Sequence, residues 1–214
     1  MTSMRTAHKF FVLFIGAATI AASASCGDVV RNSRAPVLIV IDTLLGAQGS
    51  TPATFSGTLS SNVQNVVTTS PPCPTGITSC ATIFNDLGQA SMHLALKDIG
   101  TTATAATPSS NNQVTITNYH VAYTRADGRN QPGVDVPYAF DGAVTATIPA
   151  ASAATFSFEL VRVLAKEESP LIQLVTSPTV ITTIATVTFY GTDLVGNAIS
   201  ATGSITIEFG KFGS

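Results

Sequence analysis

The chain has 214 residues, with ten Lys+Arg against twelve Asp+Glu, and charged residues make up only 10% of it, against about 25% in an ordinary soluble domain. Arg5 and Lys9 both lie ahead of Cys26, so past that point eight basic residues face twelve acidic ones, a formal −4, and the lack of any basic surplus argues against a nucleic-acid partner. Thr, Ser, Val and Ile are abundant; a branched Cβ is restricted in helices but packs well on a pleated surface, which favours an extracytoplasmic β protein over a cytosolic enzyme.

Residues 1–9 (MTSMRTAHK) carry Arg5 and Lys9 and no acid, and residues 10–25 (FFVLFIGAATIAASAS) carry no charge. A basic start, a short apolar run and a stretch of small residues make an export signal. The run is shorter than the roughly 20 residues of a spanning helix and thins from Phe, Leu and Ile into Ala and Ser. Ser23-Ala24-Ser25-Cys26 resembles the lipobox of bacterial lipoproteins, in which small residues precede an obligatory Cys. The resemblance implies that Cys26 takes a diacylglyceryl group on its thiol, becomes the new N-terminus and is N-acylated. Ser23 stands where that family usually has Leu, and cleavage after Ala22-Ser23-Ala24 is the alternative, leaving a soluble protein. Cysteine arithmetic favours the lipid: of the three Cys, lipidating Cys26 leaves Cys73 and Cys80 to pair, with no odd thiol in an exported protein. Two or three acyl chains hold firmly, at about 0.8 kcal/mol per buried CH₂. In some bacteria an Asp directly after the Cys retains a lipoprotein in the inner membrane. Here Asp28 is one place further on, so the outer membrane or cell surface is expected.

Residues 26–35 read as a polar tether. From Pro36, PVLIVIDTLLGA is an apolar run predicted to be a strand buried on both faces. Residues 46–82 are mostly Gly, Ser, Thr, Pro and Asn, with short strands expected at Phe55–Leu59 and Val63–Val67. In an oxidising compartment Cys73 and Cys80 are expected to form a disulfide, whose closure of a short loop contributes roughly 2–3 kcal/mol on the chain-entropy model.

Met92, Leu94 and Leu96 alternate with polar neighbours, the pattern of a half-buried strand. QVTITNYHVAYTR reads as a long strand whose apolar phase changes between Ile116 and Tyr119, predicting a bulge or a bend from one sheet to the other. GAVTATIP, ATFSFELV and ATVTFYG follow as strands. Thr192–Asn197 supplies a hairpin turn, and SITIEFG places Ile205, Ile207 and Phe209 on one face. The helix candidate is Arg162–Ser169, cut short by Pro170. Seven or more short strands imply an all-β, antiparallel sandwich. The plan is a signal peptide (1–25), a lipid-anchored tether (26–35), a strand and disulfide-closed region (36–90) belonging to the same domain, and a β-sandwich (91–214).

The stretch 186–209 resembles the last hairpin of bacterial immunoglobulin-like and fibronectin type III-like surface domains, which implies an immunoglobulin-like sandwich, although the chain has no Trp and its Cys pair is too close to bridge two sheets. PVLIVIDTLLGA, LSSNVQNVV, ATIFNDLGQASMHLALKD, YTRADGRNQPGVDVPYAFDG, FELVRVLAKEESPL and ATVTFYGTDLVGN together resemble a set of uncharacterised bacterial lipoproteins. That likeness supports the address and the compact fold and implies no particular activity.

Asp127, Asp135 and Asp141 fall within fifteen positions among turn residues. Such carboxylates suit Ca²⁺, which takes six to eight oxygens, or a hydrolase using two of them as acid and base. The spacing does not match an EF-hand loop, and the plainer reading has Asp-Gly pairs making turns while Asp135 caps or pairs with Arg125 or Arg129. His93 and His120 lie in strands, as hydrogen-bonded or exposed side chains rather than ligands. Lys166-Glu167-Glu168 reads as a solvated helix end. The sequence carries no G-x-S-x-G elbow. The expectation is a non-enzymatic envelope lipoprotein without cofactor, held to the membrane by its lipid and binding another envelope protein or a polysaccharide. The alternative is an extracytoplasmic carbohydrate- or Ca²⁺-binding module or hydrolase using Asp127, Asp135 and Asp141.

Overall fold

Alternation of apolar and polar residues sets the strands, and a computed structural model describes residues 34–99 and 106–212. The order is β1 (Val37–Ala47), β2 (Thr58–Asn62), β3 (Asn65–Val67), β4 (Cys80–Thr82), β5 (Asp86–Leu96), β6 (Val114–Thr124), β7 (Phe140–Ile148), β8 (Ala154–Val161), helix α1 (Val163–Glu167), β9 (Ile181–Asp193) and β10 (Ala198–Gly210). One sheet has the order β1-β5-β8, a second β2-β10-β9-β6-β7, and β3 pairs with β4 in a small hairpin. The predicted signal peptide, Cys26 and most of the tether lie outside the described residues. The boundary expected between residues 90 and 91 falls inside β5, so residues on both sides of it build the same sheet.

The two sheets share one apolar core. Phe189 on β9 lies at the middle of the five-stranded sheet, fully buried. Its ring is 5.6 Å from Phe156 and 5.1 Å from Phe158 on the facing β8, both edge-on. Tyr119 on β6 is 5.0 Å from Phe158. Its ring covers Gly142 on the paired strand, where an added Cβ would stand 2.2 Å from a ring carbon. Gly88 plays the same part beneath Phe158, with an added Cβ 2.3 Å from the ring.

Registers fix two ends, here called foot and crown. At the foot lie the starts of β1, β8 and β10 and the ends of β5, β7 and β9. At the crown lie the start of β5, the segment joining β6 to β7, and α1 after β8. The foot is where Arg34 leads into the sandwich.

Two expectations need correction, and a third is decided between its two alternatives. β2 runs parallel to β10, so the sandwich is not wholly antiparallel. The chain turns back after β1, Ser56 bridging antiparallel to Gly46, and reverses once more before Thr58, because β2 runs in the same sense as β10. β1 is not buried on both faces: it is the edge of its sheet, no described layer covers its outer side, and Leu38 is 45% exposed there. The phase change in β6 is a bulge, with the register shifting between Ile116 and Asn118 against both neighbours. β6 stays in one sheet throughout.

Tyr123 ties the sheets together near the crown. Its hydroxyl donates to the carbonyl of Leu160 at 2.7 Å. Burial pushes its ionisation far above the usual value, and the charge of Asp86 pushes the same way. The unfolded tyrosine loses its proton near pH 10 while the folded one keeps it. Above pH 10 the folded state therefore binds more protons, and stability falls as pH rises. We expect wild type to lose roughly 1 kcal/mol more than Tyr123→Phe between pH 10 and 11, read from urea midpoints. Equal losses in the two proteins would contradict this role for Tyr123.

Candidate functional site

The crown is organised by a buried ion pair that the hydropathy pattern hides. α1 has five residues, VLAKE. Its apolar Leu164 is 58% exposed, whereas Lys166 is fully buried. The inward face of this segment is Lys166, Pro170, Leu171 and Leu174, and the expected solvated position of Lys166 is thus corrected. The cause is Asp86, also buried, at the start of β5: Lys166 Nζ lies 2.8 Å from Asp86 Oδ2 and donates to the carbonyl of Asn62 at 3.0 Å. Asp86 also accepts from Ser61 Oγ at 2.5 Å and from the Gly49 amide at 3.0 Å. No described buried side-chain N or O is left without a partner. Burial pushes the Lys166 ammonium below its ordinary range, and the charge and hydrogen bond of Asp86 oppose that. Two charges can remain in a core when each is paired and hydrogen-bonded, and here the pair joins β2, β5, α1 and the segment after β1.

Turning Lys166 inward turns Leu164 outward. Leu164 becomes one wall of a cleft of about 350 Å³, whose lining includes Pro137, Tyr138 and Phe140 on one side and Arg162, Ala165, Glu168 and Ser169 on the other. The Arg162 guanidinium sits 3.8 Å from the Phe140 ring centroid, a cation–π contact. It also donates to the Asp141 carbonyl at 2.5 Å and lies 3.5 Å from Glu159 Oε2. Tyr138 is 58% exposed and covers Gly133, whose φ of +75° suits only Gly well and whose Cβ, if present, would meet the phenol at 2.3 Å. The cleft thus offers an aromatic face, an aliphatic wall, one guanidinium and one carboxylate. Such a set holds a ligand with a flat or apolar face and polar edges.

The acids singled out in the sequence do not converge there. Asp127 is gripped by Arg125 at 2.6 Å and Arg129 at 2.8 Å; hydrogen bonds from Arg125 first and Arg129 second hold its carboxyl well below the usual range. Asp135 caps its own loop, accepting from the Gln131 amide at 3.2 Å, rather than pairing with Arg125 or Arg129. Asp141 is on β7, 2.8 Å from His120 Nδ1. Each acid has a separate local partner, and no group of three His, Cys, Asp or Glu suited to a metal ion occurs among the described residues. The Ca²⁺ and hydrolase readings would need these three acids in one site, whereas each is held by its own partner. His93 pairs with Asp42 at 2.7 Å on the three-stranded sheet. No hydroxyl or thiol among the described residues bonds to either ring. Cys73, in the segment joining β3 to β4, forms a disulfide with Cys80 at the start of β4.

Sequence reasoning missed Asp86, Lys166 and the wall formed by Leu164. Tyr138 and Phe140 stand in the stretch YTRADGRNQPGVDVPYAFDG, which shows nothing of the partners that make them a cleft. No protein-family model matches the chain, and neither the curated proteins nor the solved structures contain a significant match to it.

Proposed function

We propose that the chain is a lipid-anchored envelope protein, acylated at Cys26, whose immunoglobulin-like sandwich is a non-enzymatic module binding an envelope protein or polysaccharide at its crown. One observation carries the reading. The chain enters the sandwich at the foot, just downstream of the lipobox-like Ser23-Ala24-Ser25-Cys26, and the cleft lies at the opposite end. An anchor at one end and a cleft at the other suit a module that stands on a membrane and reaches outward. Two facing sheets and the long terminal β9–β10 hairpin support the immunoglobulin-like character. The outer membrane or cell surface is the proposed address.

Polysaccharide is favoured over protein as the partner by the exposed Tyr138 ring beside Arg162 and Glu168, since an aromatic face with polar neighbours suits a sugar ring. The test expresses wild type and Cys26→Ala in a bacterial host and compares intact mass and detergent-phase partition. Wild type should carry acyl chains and enter the detergent, and Cys26→Ala should stay aqueous. If both stay aqueous and begin at Ser25, the anchor is wrong. A photoreactive residue replacing Tyr138 then reports the partner: a periodate-sensitive adduct means polysaccharide, a protease-sensitive one means protein, and neither means the cleft is not the binding site.

A further inference from the structure

The β9–β10 turn at the foot is built to hold two aliphatic side chains in solvent. Leu194 is 61% and Val195 81% exposed, the latter the barest of the large apolar side chains described. Turn tips are ordinarily polar, and no described part of the fold covers these two. The turn is nonetheless fixed. Asp193 Oδ1 accepts from the Val195 amide at 3.1 Å and the Asn197 amide at 2.8 Å, and Asp193 Oδ2 accepts from Asn197 Nδ2 at 2.8 Å. Gly196 has φ +83°, the left-handed geometry that Gly adopts without strain. Leu38, 45% exposed at the start of β1, and Ile99, 57% exposed beyond the end of β5, add apolar surface to the same end.

We infer that this foot, led by Leu194 and Val195, seats directly in the lipid interface of the membrane that holds the anchor. The inference rests on acylation of Cys26. Seven residues lie between Cys26 and Arg34, eight steps with a reach of at most about 28 Å even fully extended, so an anchored domain cannot leave the vicinity of the bilayer. The end facing that anchor is the end with bare aliphatic residues. Shallow burial of a rigid apolar tip adds to an acyl anchor in the way a second membrane signal does. It also sets orientation: with the foot down, the crown and its cleft point away from the lipid.

The chain has no Trp, so a single introduced one reports its own surroundings. Full-length Val195→Trp and Tyr138→Trp, each purified in acylated form, are reconstituted on phosphatidylcholine vesicles with brominated acyl chains. Val195→Trp should shift to the blue and be quenched several-fold more than Tyr138→Trp. Neither being quenched on vesicle-bound, acylated protein overturns the seated foot and leaves the anchor standing. Equal quenching of both means that the domain lies flat, which overturns the orientation. A blue shift without quenching, with a doubled mass by light scattering, places a second copy on the tip and overturns the lipid contact. A mass lacking acyl chains removes the anchor and this inference with it.

Discussion

Lys166→Met should lower stability by about 3–5 kcal/mol, the range for removing one partner of a buried ion pair, and shift the melting temperature by roughly 10 °C for a domain of this size. The substitution keeps most of the apolar stem and removes the ammonium. Asp86 then retains only Ser61 and the Gly49 amide for its buried carboxylate. Asp86→Asn should be destabilising too, because it leaves the Lys166 charge with the Asn62 carbonyl alone. The decisive variant is the double one. The side-chain amide introduced by Asp86→Asn can accept from the Gly49 amide through its oxygen and donate to the Ser61 hydroxyl through its nitrogen, and no buried charge remains, so the double variant should recover more than half of the loss caused by Lys166→Met. The measurement is urea unfolding of all four proteins at pH 7, treated as a double-mutant cycle. A cost below about 1 kcal/mol for Lys166→Met, with additive single effects, would mean that the pair is not the joint described here. Replacing such pairs with apolar groups is often neutral, so its value here lies in geometry: it fixes which face of α1 is inward, and therefore where the cleft wall stands.

How far this site could be read from the chain follows from where its signals lie. Asp86 was legible in principle. Met92 and Leu94 face the core, and counting back by twos along β5 reaches Ala90, Gly88 and Asp86, all buried. An acid in phase with a core stripe needs a partner, and a search for that partner would have led to a cation. Lys166 was not legible. Five helical residues are too few to establish a 3.6-residue period, and the neighbouring Leu164 competes for the inward position by hydropathy. A contact between α1 and β5 overrides the local preference. Asp127, Asp135 and Asp141 misled for the opposite reason: they are close in sequence, but each is satisfied within its own loop or by the facing strand.

The strands were easier. The period-2 pattern placed β5 through β10, including the bulge in β6, because Ile116 and Tyr119 cannot share a face without an extra residue between them. Pairing sense was harder. The strand expected at Phe55–Leu59 overlaps β2 only at Thr58 and Leu59, and nothing in the sequence says which neighbour β2 finds or in which direction. The turn-back after β1, bridged at Gly46 and Ser56, and the second reversal before Thr58 that sets β2 parallel to β10, are tertiary features. Likewise the apolar run of β1 gives no sign that its outer face stays open, since an edge and a central strand can share one composition.

Whether the two sheets close on one core is tested most directly at Phe189. The residue sits on β9, with β10 and β6 on either side, and its ring contacts come from both sheets: Tyr119 at 6.3 Å within its own, Phe156 and Phe158 across the core. Phe189→Ala removes the ring that all three share, and the neighbours cannot collapse into the space. Gly88 beneath Phe158 and Gly142 beneath Tyr119 already place those rings against backbone. The cost should fall at about 3–5 kcal/mol, the range for deleting a buried aromatic ring, while Phe189→Leu, which keeps most of the volume, should cost about 1–2 kcal/mol. Urea unfolding at constant m-value reads both. Because marginal domains hold only about 5–15 kcal/mol in total, Phe189→Ala should also broaden hydrogen exchange across β6, β8 and β9 together. Exchange confined to β9 and its two neighbours, with β8 unaffected, would show that the sheets do not depend on a common core, and that foot and crown do not belong to one rigid sandwich.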